Sequence, residues 1–296
     1  MIQRFLTNLT RIGAAFVIGF ASLHALADDA ASLRAKHGEL RDPLRNNSFQ
    51  RAMVIDSAQV GDNLKGDVYA VLDHPFNLVS GELKNPENWC DILILPFNTK
   101  YCHAVDANGA TNLMVRIGRK FDQPVQDAYK LQFSYRGVAA TPEYFESRLA
   151  AREGPVGTRD YRITISAVPL DDKRTFMHLS YSYGYGLAGK VAMQAYLATV
   201  GADKVGFSVS GKDANGQPIY MGGVRGAVER NAMRYYLAID AYLDSLSGPA
   251  GQRVERRIQS WFNATERYPR QLREMDRPTY VAMKRSEVER QQTLIQ

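Results

Sequence analysis

Cysteine is nearly absent: Cys90 and Cys102 are the only two in 296 residues, too few to build a thiolate metal cluster by themselves. Histidine is scarce as well. Beyond residue 27 there are four, His37, His74, His103 and His178, scattered over different segments with no second ligand at helical spacing. A zinc site needs three or four converging ligands, so no metal is implied, and no cofactor either. The chain has no Gly-x-Ser-x-Gly elbow and no His-Glu-x-x-His helix, which removes the common hydrolase signatures. Gly154-Pro155-Val156-Gly157 and Ser210-Gly211-Lys212-Asp213 are turn chemistry rather than phosphate loops. Internal repeats and low-complexity blocks are also missing, and no segment approaches the ~18 uninterrupted apolar residues of a membrane span.

What is present begins at the N-terminus. Arg4 and Arg11 precede an uncharged apolar stretch, residues 12–23, and Ala25-Leu26-Ala27 forms a small-x-small site followed by Asp28 and Asp29. That is the layout of a cleaved secretory signal peptide, residues 1–27, too short in its apolar part to remain as a span. The expectation is an exported protein in a bacterial periplasm. Loss of the leader removes two arginines and no acids, so the formal charge falls from +6 to +4. With basic and acidic residues interleaved, this mild excess gives no support to a nucleic-acid partner.

Residues 28–60 are polar, with a short helix expected over Ala31–Leu40 and a connector rich in Arg and Asn after it. Val68, Ala70 and Leu72 alternate with their neighbours as in a strand. Phe76, Val79 and Leu83 then fall on one helical face, and Asn85-Pro86 ends that helix and opens a second containing Trp89, Ile92 and Leu93. Beyond Pro96 the period becomes two, and regular turn signals separate six expected strands between residues 98 and 185. A short helix is expected over residues 187–199 and one further strand near residues 202–211. Val224, Val228, Ala232, Tyr235, Ile239, Tyr242 and Leu246 recur at three- and four-residue steps in the longest amphipathic segment, which Gly248-Pro249 ends. From Arg253 onwards ten Lys/Arg face six Asp/Glu, and Ile258, Trp261 and Phe262 share a helical face.

This order resembles the START-like or SRPBCC superfamily, the helix-grip fold, and the matching segments are Gly66–Asp73, Pro75–Leu93, Asn98–Gly186 and Gly222–Leu246. The resemblance rests on element order, covers residues 60–246, and is interrupted by the added segment 187–220. It implies an α+β fold in which a curved antiparallel sheet wraps a long C-terminal helix, followed by a helical tail. The expected division is a leader at 1–27, a polar and helical segment at 28–60, a ligand-binding domain at 61–248 and a basic helical extension at 249–296. It also implies a cavity between sheet and helix for a lipid, sterol or polyketide. Together with the leader, it implies an exported protein that holds a hydrophobic small molecule, with transport of that molecule as a further role. Two alternatives stand beside it: a cavity enzyme of cyclase, aromatase or hydrolase type, and an envelope protein whose cavity is filled by side chains.

Candidate ligand contacts are Trp89, Tyr135, Tyr181, Tyr183, Tyr185, Met233 and Tyr235. The three tyrosines of the last expected strand share a face with Met177 and Leu179, and their hydroxyls could orient a head group. Met193 and Met221 have the flexibility that suits an adaptable pocket. Asp91, His178 or a buried tyrosine would serve a cavity enzyme as acid or base. Arg116, Arg136, Arg148 and Arg162 lie on strands and would meet an acidic ligand only if they point inward. Arg230 and Arg234 are expected to solvate the long helix. The Trp261/Phe262 face, flanked by arginines, would either touch an anionic membrane surface or pack back over the domain.

The pair Cys90 and Cys102 follows from the expected compartment. In an oxidising space two cysteines are most simply a disulfide, here pinning the second short helix to the first strand of the meander. Two reduced, inert thiols are the alternative, and His103 beside Cys102 leaves room for a thiol or metal role.

Overall fold

The computed structural model describes residues 26–107, 109–199 and 201–292; the expected leader lies outside them except for its last two residues. Residues 26–39 form helix α1, followed by the short α2 (Arg41–Arg45). Eight strands make one antiparallel sheet: β1 (Met53–Val60), β2 (Asn63–Leu72), β3 (Thr99–Ala107), β4 (Ala110–Ile117), β5 (Tyr129–Ala140), β6 (Phe145–Glu153), β7 (Thr158–Pro169) and β8 (Thr175–Tyr185). Their spatial order is β1-β2-β8-β7-β6-β5-β4-β3, so β1 and β3 are the two edges. Helices α3 (Phe76–Leu83) and α4 (Pro86–Leu93) carry the chain from β2 to the far edge. Asn85 caps α4 by accepting from the Glu87 amide at 3.1 Å, with Pro86 opening the first turn.

The six-strand meander and the two preceding helices stand where the period-two and three/four spacings place them. The N-terminal reading needs correction. Residues 28–60 are not only polar and helical, because Met53–Val60 is a strand paired with β2 from Met53↔Ala70 to Val60↔Asn63. A boundary at residue 61 therefore cuts a hairpin. Pro75 holds the N-cap position before α3. Helix α1 lies on the outer face of the sheet, where Ala30, Leu33 and Leu44 pack with Phe176, Val168 and Tyr144 in a small second core.

The inner face holds the main core. Val68, Leu113, Leu131, Phe133, Leu149, Ile163, Ile165, Met177 and Leu179 all point to one side, as alternation requires of a sheet with one covered face. Helix α6 (Gly223–Ser245) lies across it with 17 of its 23 residues buried. At Gly66 the helix comes so close that a Cβ would stand 3.1 Å from the Val228 carbonyl oxygen and 3.2 Å from the Ala232 Cβ. Between β8 and α6 stand α5 (Leu187–Ala198) and a separate hairpin, β9 (Val209–Lys212) with β10 (Pro218–Tyr220). Of the extra strand expected near residues 202–211 only the end, residues 209–211, is extended, and it lies outside the main sheet.

The tail forms α7 (Arg253–Glu266), α8 (Pro269–Leu272) and α9 (Arg277–Gln291). It is no appendage: Ile258, Trp261, Phe262, Leu272, Tyr280 and Met283 belong to the main core. Trp261 is fully buried, its ring 4.9 Å from Phe97 and 5.2 Å from Tyr280, and its indole N–H donates to the Arg234 carbonyl at 3.1 Å. The Trp261/Phe262 face is therefore covered and is not a membrane-facing surface. Cys90 and Cys102 are bonded to each other with Cα atoms 5.1 Å apart, which ties α4 to β3.

Candidate functional site

A cavity of about 390 Å³ opens between the inner face of β4, β5, β7 and β8, one stripe of α6, and α5, which lies over it with the turn Pro155–Gly157. Strand alternation supplies its floor: Leu131 and Phe133 from β5, Tyr161 from β7, Tyr181 and Tyr183 from β8. Tyr161 stacks on Tyr183 with ring centroids 5.3 Å apart, and Tyr181 meets Tyr183 at 5.6 Å and Tyr235 at 5.2 Å. Burial pushes the phenols of Tyr181, Tyr183 and Tyr235 above their ordinary value, so they stay protonated. Met193 and Ala192 close the side under α5.

The α6 wall is made by Ala227, Arg230, Asn231, Arg234 and Tyr235, a stripe at steps of three and four. Its two arginines correct the sequence reading: they do not solvate the helix, being only 1% and 6% exposed. Arg230 donates to the Val205 carbonyl at 3.2 Å and to the Tyr196 hydroxyl at 3.4 Å. Arg234 pairs with Glu274 at 2.5 Å, and the same Glu274 oxygen takes Lys120 at 2.6 Å. Arg234 Nε is buried without a hydrogen-bond partner. Burial lowers the Arg234 guanidinium below its ordinary value; Glu274 opposes this and Arg230 adds to it. Tyr196 moves the other way from the floor tyrosines. Burial works against its ionisation, yet Lys120 and Arg230 outweigh it and hold the phenol below its usual value. The site is an aromatic and aliphatic chamber with a positively charged wall.

Of the candidate ligand contacts, Tyr181, Tyr183 and Tyr235 come together here. The other four lie elsewhere. Trp89 sits in the core below α3, its indole donating to the Leu83 carbonyl at 2.9 Å. The Tyr135 hydroxyl donates to the Lys84 carbonyl at 2.8 Å, fixing β5 to the end of α3. The Tyr185 hydroxyl accepts from the Gln59 amide at 3.0 Å, and Met233 is wholly buried off the cavity wall. Asp91 pairs with Arg257 at 2.6 Å, and His178 pairs with Asp67 at 2.7 Å and stacks on Tyr69; neither lines the cavity. Arg136, Arg148 and Arg162 are exposed, and Arg148 pairs with Glu146. Among the described residues no group of three or more His, Cys, Asp or Glu is placed to hold a metal ion.

Arg230 and Arg234 were findable. Four residues apart, they share one helical face, and Asn231 between them stands four residues before the candidate Tyr235. Lys120 and Glu274 were not, because only the tertiary fold brings a β4–β5 loop and the α8–α9 connector to α6.

No family model matches the chain, and no curated protein matches it. Solved structures do. A conserved protein from Geobacillus kaustophilus is 12% identical with a TM-score of 0.35, over 61% of this chain and 95% of that one. Norcoclaurine synthase from Thalictrum flavum is 16% identical with a TM-score of 0.32, over 51% and 87%. An aromatase/cyclase from a Streptomyces species is 12% identical with a TM-score of 0.31, over 73% and 94%. These likenesses are of layout only. The topology decides the fold: one antiparallel sheet, two short helices between its second and third strands, and one long helix held in its inner face. The chain has a helix-grip architecture. Relative to the simplest helix-grip order, α5 and the β9–β10 hairpin are added before the gripped helix, and α5 is the piece that roofs the cavity.

Proposed function

We propose that the protein binds a hydrophobic, lipid-like small molecule in this chamber, and that it does so after export, carrying the ligand. One observation carries the reading. Beside α6 a half-open cavity of about 390 Å³ is walled by aromatic and aliphatic side chains, among them Leu131, Phe133, Tyr161, Tyr181 and Tyr235, a size and lining typical of small-molecule sites. Export is supported by the leader-like residues 1–27 and by the Cys90–Cys102 bond, a chemistry that persists in oxidising compartments. Protein purified from its own host, extracted and analysed by mass spectrometry, should release a lipid. Failure to carry one, together with failure to bind long-chain lipids in vitro, would refute the proposal. Ala192→Phe, which fills the chamber from α5, should abolish uptake while leaving the fold intact.

A cavity enzyme of cyclase or hydrolase type is the second reading, favoured by Tyr196 alone, whose phenol is held below its usual value between Lys120 and Arg230. A phenol of that kind gives up its proton more readily than its neighbours. Tyr196→Phe removing turnover without changing lipid retention would favour the enzyme.

A further inference from the structure

We infer that the chamber selects amphiphiles with an anionic head group, a carboxylate or a phosphate monoester, seated against Arg230 and Arg234 with the tail over Tyr181 and Phe133. This rests on the lipid-binding reading above and names the ligand class of that same site. The charge inventory carries it. Lys120, Arg230 and Arg234 all line the chamber, and a single carboxylate, Glu274, answers them, already shared by Lys120 and Arg234 through one oxygen. Among the described residues no carboxylate lies within ion-pair distance of Arg230; its partners are a carbonyl and a phenol.

Guanidinium does not deprotonate in proteins, so this excess charge is permanent. Burying an uncompensated cation opposes folding, and apolar side chains of similar volume would be the more stable choice. A second anion resolves the imbalance. A carboxylate or phosphate offers the planar or trigonal acceptors that match the guanidinium fork, and Arg234 Nε, buried and without a hydrogen-bond partner, leaves that fork incomplete. The aromatic floor cannot supply it, since its phenols are held in the neutral form. The arginines sit on the α6 wall beside Tyr235, so a bound head group lies next to the gripped helix and the tail runs along the sheet.

The test uses three ligands with one sixteen-carbon tail, hexadecanoate, 1-hexadecanoyl lysophosphatidate and hexadecanol, each displacing the neutral fluorophore N-phenyl-1-naphthylamine from the full-length protein. At least one of the two anions should bind about tenfold or more tighter than the alcohol, the scale of a charge-assisted hydrogen bond. Inorganic phosphate should displace nothing. Arg230→Met and Arg234→Met should lose the preference and keep the affinity for the alcohol. Lys120→Met, at a more exposed position, should weaken the preference if either arginine variant fails to fold. Equal binding of acid and alcohol by the unaltered protein overturns the head-group inference and leaves the lipid-binding reading standing. Displacement by inorganic phosphate also overturns it, since a free anion would then be enough. Displacement by none of the three amphiphiles overturns the lipid-binding reading, and this inference with it.

Discussion

Two buried clusters in this protein have nearly the same composition and opposite characters. Under α9, Lys100 and Lys284 are fully buried and share Glu287, one lysine on each carboxylate oxygen at 3.0 and 2.6 Å. Lys100 also donates to the Phe97 carbonyl and the Met283 sulfur, and Lys284 to the carbonyls of Pro96 and Thr99. An ammonium has three donors, and all six are taken. At the chamber, Lys120 and Arg234 likewise share one carboxylate, Glu274, while Arg230 has a carbonyl and a phenol in its place, and Arg234 Nε is left without a partner. The difference teaches that buried charge by itself does not mark a ligand site. What marks it is incompletely bonded charge that also lines a cavity, since Arg257 Nε is equally unpartnered but lies away from the chamber.

The comparison can be broken most forcefully at Glu287. Glu287→Gln leaves two buried ammonium groups without a counter-charge and should destabilise the protein by about 3–5 kcal/mol, read from urea unfolding midpoints. A loss under 1 kcal/mol would mean the cluster is not saturated as described. Next in size is the disulfide that braces the same edge. Replacing Cys90 and Cys102 by serine opens a twelve-residue separation and should remove about 3 kcal/mol on the chain-entropy account. Pro96 and Asn98, within the loop that the bond closes, also line the chamber; binding should nonetheless be unchanged in whatever fraction stays folded. A parallel loss of binding would show that the two regions are coupled.

Proton linkage separates the clusters more finely. Burial, reinforced by Lys100 and opposed by Glu287, brings Lys284 from 10.5 down to about 8. The unfolded chain then holds more protons than the folded one between those values, so stability should rise with pH across that window. The buried tyrosines act in the opposite sense. Burial holds Tyr181, Tyr235 and Tyr280 above their ordinary 10, so above pH 10 the unfolded chain loses protons first and stability falls. Urea midpoints between pH 7 and 11 should therefore peak between these limits, and Lys284→Met should erase the rising limb alone. A profile already falling from pH 8 would contradict the assignment. The smallest effect belongs to the chamber: Arg234→Met, which leaves Glu274 paired with Lys120, should change stability by no more than about 1 kcal/mol in either direction. A loss near that of Glu287→Gln would make the two clusters alike.

How much of this the sequence shows depends on which signal each element carries. The meander is plain because residues such as Leu131, Phe133, Ile163 and Ile165 alternate with polar neighbours, and a half-covered sheet demands that pattern. Strand β1 is hidden because its third inward residue is Ser57, whose hydroxyl donates to buried Glu229 at 2.6 Å; alternation by apolarity stops at Ile55. Periodicity gives α6 one apolar face, while the fold buries it almost all round, so charged residues that a surface helix would expose become walls. Tyr181, Tyr183 and Tyr235 were visible as a shared stripe and a helix position. Trp89, Tyr135, Tyr185 and Met233 have the same chemistry but are taken up by packing and by bonds to Leu83, Lys84 and Gln59. Composition cannot distinguish a tyrosine facing a void from one facing a carbonyl.

The saturated cluster also bears on the order in which the molecule can be completed. Strand β3 is an open edge of the sheet, a position prone to pairing with other chains when bare, and Lys100 on it meets its carboxylate 187 residues later in sequence. A nascent chain emerging N-terminus first exposes that edge, with one ammonium unanswered, until α9 has been made. The protein is therefore expected to mature in a single late step and to depend on being held apart from its neighbours while it waits. Chains released early, lacking α9, should be the ones that aggregate.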